Sequence, residues 1–151
     1  MRLTEQSRYA LRVLAYCAEH HPQLAKVAEI SHDTGITEQN IFKLIKTLAK
    51  TGFLQTVRGP HGGVRLAVAP SAIPVGQVIR AVEPRFQACG PLDRMLSEEP
   101  VSPVECALDR AIGRGIAAFI ETLDQTSIAS LVARRRRTWR PDRVLPNLKA
   151  D

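Results

Sequence analysis

The chain is poor in aromatic residues: only 5% of its 151 residues are Phe, Trp or Tyr. Proteins that read single-stranded RNA on a sheet stack the bases on aromatic rings, and this composition supplies no such platform. No apolar run approaches the roughly 20 residues needed to span a bilayer. The opening MRLTEQSRYA lacks the apolar centre of a signal peptide, so the expected location is the cytoplasm, with no membrane partner. The three cysteines, Cys17, Cys89 and Cys106, include no closely spaced pair, which argues against a zinc site. In the cytosol they are expected to be reduced unless they sense something. No glycine-rich phosphate loop, nucleophile elbow or metalloprotease motif occurs, so the chain is not expected to be an enzyme.

With 44% hydrophobic residues the chain can bury a core, which excludes disorder throughout. The net charge of +6 favours an acidic polymer as partner, or merely solubility. That charge is uneven. Residues 84–109 hold Arg85 and Arg94 against Asp93, Glu98, Glu99, Glu105 and Asp109, and the basic residues lie on either side.

The most informative stretch is GITEQNIFKLIKTLAKTGFLQTVRGPHGGVRLA, Gly35 to Ala67. Thr37 suits a helix N-cap. Ile41, Leu44, Ile45 and Leu48 follow the spacing of one buried helical face, and Gly52 stands where a left-handed cap is expected. Two strand-like runs follow, Phe53–Arg58 and Val64–Ala67, joined by Gly-Pro-His-Gly-Gly, which is turn chemistry with glycines that allow positive φ. A second short helix, Val27 to Thr34, precedes Gly35, so the spacing is that of a helix-turn-helix unit. On the polar side of the later helix, Gln39 and Asn40 could hydrogen-bond base edges while Lys43, Lys46 and Lys50 reach phosphate. A solvated charged face is the plain alternative. Arg58 and Arg65 flanking the glycine-rich tip tilt the balance towards double-stranded DNA, since they make a basic wing.

Upstream, Thr4 can cap a first helix with Tyr9, Ala10, Val13, Leu14 and Cys17 on one face. Cys17 is then a packed small hydrophobe. Downstream, Val75 to Val82 reads as a helix. Arg85 to Pro103 reads as a loop, unusually long for a compact chain. Glu105 to Gln125 reads as one long helix, with Leu108, Ile112, Ile116, Phe119, Ile120 and Leu123 in a stripe. That stripe is best explained by packing on a second copy of the chain, with Ala111, Gly115 and Ala118 permitting close approach; folding back on its own domain is the alternative. Ser127 caps a short helix through Ala133, and the basic stretch from Arg134 is expected to be disordered.

The expected fold is therefore mainly α with a small β-hairpin wing: a winged helix-turn-helix DNA-binding domain over residues 1–83, a cysteine-bearing loop over 84–104, a dimerisation helix and short terminal helix over 105–133, and a tail over 134–151. The candidate DNA-binding residues are Thr37, Glu38, Gln39, Asn40, Lys43, Lys46, Arg58, His61, Gly62, Gly63 and Arg65.

The opening MRLT…RYAL, the segment TGFLQTVRGPHGGVRLA and the cysteine-bearing loop before a long helix together resemble the Rrf2 family, regulators of the IscR, NsrR and RirA type. The resemblance covers roughly residues 1–133. It implies a homodimeric winged-helix transcription regulator, usually a repressor, on a palindromic operator. Many members hold an iron–sulfur cluster, here expected as 2Fe-2S, in this loop and respond to nitric oxide, iron or redox state. The usual loop carries three cysteines; here Cys89 and Cys106 remain, the middle position falls near Pro100, and position 8, acidic in some members, is Arg8. A subset pairs two loop cysteines with a histidine from the partner's DNA-binding domain at a His-Asp pair like His32-Asp33. Histidine can replace cysteine on cluster iron, so Cys89, Cys106 and His32 form the candidate ligand set, with Glu5 as a candidate fourth. A Cys89–Cys106 disulfide switch and two ordinary reduced cysteines stay open beside it. So does a redox protein that binds no DNA, which would explain the cysteines but not the basic wing.

Overall fold

The computed structural model describes residues 3–59, 61–83 and 102–138, the last five as backbone only. Helix α1 (Glu5–Glu19) is its centre: it packs against every other helix of the amino-terminal unit, against the hairpin and against the final helix. Ala10, Val13, Leu14 and Cys17 are fully or almost fully buried there, as their spacing predicts, and the side chain of Thr4 caps the helix by accepting from Ser7 N. Each large apolar side chain sealed this way contributes roughly 2 kcal/mol.

Helices α2 (Val27–Thr34) and α3 (Glu38–Lys50) form the helix-turn-helix. Gly35 between them sits at φ 66°, a left-handed conformation that a side chain disfavours, and its N–H closes the end of α2 on the Ser31 carbonyl. Arg12 on α1 donates to the Thr34 carbonyl, fastening the turn to the central helix. Ile41, Leu44, Ile45 and Leu48 are all buried.

Strands β1 (Leu54–Val57) and β2 (Gly63–Leu66) pair antiparallel, with Leu54 opposite Leu66 and Val57 opposite Gly63. On its other side β2 exchanges two backbone hydrogen bonds with Ala25, through Val64, so the hairpin is gripped from both edges. Positive φ explains only Gly59 among the described tip glycines. Gly62 and Gly63 are required for a different reason: a Cβ would stand 2.3 Å from the Val57 carbonyl oxygen and 2.6 Å from that of Ala25, respectively.

After a short 3-10 turn (Pro70–Ala72), helix α4 (Val75–Val82) buries Val75, Val78, Ile79 and Val82. Helix α5 (Pro103–Asp124) crosses it at close range, because Gly76 lets the Ile120 carbonyl approach. The loop expected to end at Pro103 ends sooner. Pro103 and Val104 belong to the helix, with Ser102 as N-cap in a capping box with Glu105; proline suits a first helical turn, where no N–H partner is needed. Helix α6 (Ile128–Thr138) also corrects an expectation, since its backbone stays helical through residues 134–138, which were assigned to a disordered tail. Arginine is a good helix former, and the run simply extends the turn that precedes it. Residues 139–151 lie outside the described residues.

The α5 stripe divides in two. Ile120 is buried, and Ile116, Phe119 and Leu123 pack against the same core. Val104, Leu108 and Ile112, one to four turns nearer the N-terminus, are exposed by 75%, 56% and 48%. The expectation that the whole stripe packs on a second copy is thus corrected for its carboxy-terminal half, which the chain's own α4 covers. Among the described residues, no helix is long and apolar enough to cross a membrane.

Candidate nucleic-acid interface

The buried stripe of α3 forces the rest of that helix outwards. Glu38, Gln39, Phe42, Lys43, Lys46 and Lys50 are exposed, whereas Asn40 and Thr47 are half-buried on its flank. Thr37 occupies the N-cap position but its side chain makes no capping bond, so the hydroxyl stands exposed at the amino end of the helix, where the helix dipole favours an anion. Glu38 is the one acid in the helix, against Lys43, Lys46 and Lys50. Asn40 and Lys43 also line an open groove of about 440 Å³ with Glu5, Gln6 and Tyr9 of α1.

The hairpin extends the basic surface. Val57, Arg58, Gly59 and His61 are exposed, and Arg65 is half-buried, its Nε donating to Oε1 of Gln55 opposite it at 3.1 Å. Gly62 and Gly63 are half-buried and serve the close packing described above. Helix α3 packs against β1, so helix and wing are neighbours in one core.

A family model described as "Rrf2: Iron-dependent Transcriptional regulator" matches residues 3–134. The chain belongs to the Rrf2 family. It is similar to Protein aau3 of Rhizobium meliloti, 35% identical over 140 residues that cover 89% of this chain and 87% of the relative. It is also similar to the HTH-type transcriptional regulator NsrR of Bacillus subtilis, 32% identical over 133 residues covering 87% and 90%. Among solved structures, CymR, the global cysteine regulator of B. subtilis, superimposes with a TM-score of 0.67 at 25% identity, covering 89% of this chain and 98% of that one. T. potens IscR matches with a TM-score of 0.67 over 93% of each chain, at an identity of 22% that speaks for the fold alone. An Rrf2 chain is a DNA-binding transcriptional regulator with a winged-helix fold, and not an enzyme.

The described candidate ligands lie on three different helices. Cys89 lies outside the described residues. Cys106 is half-buried in the first turns of α5, its N–H bonded to the Ser102 carbonyl. His32 is fully at the surface in the last turn of α2, its side chain 88% exposed and its Nδ1 2.8 Å from Oδ1 of Asp33. That hydrogen bond holds the Asp33 carboxyl below the usual range and leaves Nε2 pointing elsewhere. Glu5 accepts from the Tyr9 hydroxyl at 2.9 Å. Cys17 is sealed in the core, and burial pushes its thiol up to about 12. Among the described residues, no three His, Cys, Asp or Glu side chains come together as a metal site.

Two features escaped the sequence reading. Phe42 is an aromatic side chain on the outward half of α3, signalled only by lying off the buried stripe. Glu83, the residue after α4, is a buried acid tied to the start of α1, and nothing in the local pattern announces it.

Proposed function

We propose that the chain acts as a homodimeric repressor, with residues 3–83 as the DNA-binding unit and the exposed part of α5 as the dimer seam. Helix α3 enters the major groove, where Gln39 and Lys43 reach base edges or phosphate. Lys46, Arg58 and Arg65 neutralise backbone phosphate, and His61 at the wing tip reaches towards the neighbouring groove. Thr37 offers its hydroxyl and helix-end N–H groups to a phosphate. The observation that carries this reading is the exposed lysine face of α3 together with exposed Arg58 on a wing that packs against α3 and α1. In a two-fold dimer such surfaces meet half-sites about one helical turn apart. The test is selection of bound duplexes from a randomised pool, followed by affinity measurement on the winning sequence and on single-stranded RNA. Recovery of a palindrome is expected, and equal affinity for the RNA would overturn the reading.

We further infer that the signal enters through residues 84–104 and the thiols of Cys89 and Cys106. The donor chemistry was tested against a 2Fe-2S cluster, which takes four protein ligands. With Cys17 locked in the core, one chain offers two thiols, and His32 and Glu5, which accepts from Tyr9, would have to fill the other two positions. Clusters are held chiefly by cysteine thiolates and half of this set is not sulfur, so the sensing step is assigned to the thiol pair. Two thiols joining as a disulfide pass two electrons and two protons to a peroxide, whose O–O bond breaks to give an alcohol and water, or two waters from hydrogen peroxide. Nitric oxide or iron as signal would instead require the cluster, with ligands contributed across the dimer. Anaerobic purification with iron analysis and visible absorption, beside thiol titration before and after mild oxidation, separates these outcomes. An iron-free protein that loses two titratable thiols and DNA affinity together supports the switch. Stoichiometric iron in a coloured protein overturns it.

A further inference from the structure

Phe42 is the only aromatic side chain among the exposed large hydrophobic residues described, with 57% of its surface accessible. Val104, Leu108 and Ile112, the other large members of that group on a helix, share the open face of α5. A single exposed apolar residue is ordinary on a protein surface. What sets Phe42 apart is its company. It stands one helical turn from Glu38 and Gln39 on one side and from Lys46 on the other, with Lys43 adjacent. The exposed surface near this ring thus carries Lys43 and Lys46 against one acid, Glu38, with Lys50 two turns further on. Its occupant is polyanionic, yet must offer an apolar spot at the depth the ring reaches.

In the major groove that spot is the thymine C5-methyl group, which apolar side chains contact and which distinguishes A·T from the other pairs. We propose that Phe42 is a specificity-determining residue that packs on a thymine methyl group in each operator half-site. This rests on the DNA-binding reading above and deepens it. Lys46, at phosphate, helps hold the helix in place and carries no sequence information itself. Phe42 adds discrimination without a hydrogen bond, since a methyl group under the ring buries apolar surface on both partners.

The experiment uses the full-length protein and the duplex selected from the randomised pool. Each thymine of one half-site, then of both, is replaced in turn by deoxyuracil, which lacks only the methyl group. Burying one such group is worth a factor of about four in affinity. The wild type is expected to lose about fourfold at one thymine per half-site and about fifteenfold with both replaced. Phe42→Ala is expected to bind thymine and deoxyuracil duplexes equally, and Phe42→Leu to keep part of the difference. Wild-type indifference to every replacement overturns the proposal, as does a full deoxyuracil penalty retained by Phe42→Ala, or a selected site with no thymine in either half. Failure of the wild type to select any duplex sinks the DNA-binding reading instead, and is read before a variant is made. Because the ring is exposed, circular dichroism of Phe42→Ala should match the wild type.

Discussion

The Ser7 hydroxyl donates to Oε2 of Glu83 at 2.6 Å, joining residues 76 positions apart. The same carboxylate oxygen accepts from the Thr4 hydroxyl at 2.9 Å and from Thr4 N at 3.2 Å. Glu83 is 2% exposed and closes the amino end of α1, where the partial positive charge of a helix favours an anion. It is also the last described residue before the segment that carries Cys89. That segment therefore departs from a point anchored in the helix on which the whole DNA-binding unit rests.

Removing this carboxylate strands buried donors. Glu83→Ala is expected to destabilise the protein by about 3 kcal/mol, since bonds to a buried charged group are each worth about 1.5–3 kcal/mol and the orphaned hydroxyls add a desolvation cost. For a chain of this size the midpoint should fall by roughly 10 °C. Differential scanning calorimetry reads it directly, and a shift under about 2 °C would show that water or another group replaces the acid without loss.

The exposed face of α5 is the proposed dimer seam. Leu108→Lys with Ile112→Lys places two charges where a second copy would pack, and a desolvated charge is costly. Sedimentation should then report the 16.7 kDa monomer in place of the dimer, with unchanged helical content because neither residue belongs to the chain's own core. A double variant that sediments like the wild type would place the seam elsewhere.

Phosphate contacts reveal themselves through salt. Each neutralised phosphate contributes about 0.9 to the slope of log affinity against log salt. Arg58→Ala alters both chains of a dimer, so the slope should flatten by about two and affinity fall on every duplex alike. Fluorescence anisotropy across a salt series measures both. An unchanged slope would remove Arg58 from the interface.

Thiol reactivity should separate the cysteines. Cys17, with its thiol pushed up to about 12 by burial, should resist a thiol reagent at neutral pH until the protein unfolds, while half-buried Cys106 reacts in the native state. The linkage sign follows from the raised value. Below about 9, the ordinary thiol value, Cys17 is protonated whether folded or not and costs nothing. Between about 9 and 12 the unfolded chain loses that proton and the folded one keeps it, so stability falls as pH rises through that window. Denaturant midpoints at pH 8 and 10 check the direction. Native-state labelling of Cys17 in a Cys106→Ser variant would contradict the packing.

Much of this was legible along the chain. Four apolar positions of α3 at helical spacing, the Thr4 cap and the hairpin turn each depend on neighbours within a few residues, so pattern alone reveals them. The α3 and wing candidates came from the same local logic, and the two elements that carry them pack together. The metal candidates rest on the family resemblance instead: Cys106 and His32 belong to different helices, His32 is expected to reach a partner's loop, and no local rule relates them. Gly62 and Gly63 are half legible: turn chemistry explains their presence, but their close approach to Val57 and Ala25 depends on strand pairing.

The order of helices, the wing and the identity of the buried faces were set by sequence period and turn chemistry, since hydrophobic spacing and capping act over a single turn. The tertiary structure alone decided two things: that α5 spends its last turns on α4 and leaves its first turns bare, and that Glu83 reaches back to Ser7. Each depends on which distant element arrives to cover a side chain, and burial by a remote partner leaves no periodic trace in the residues that are buried.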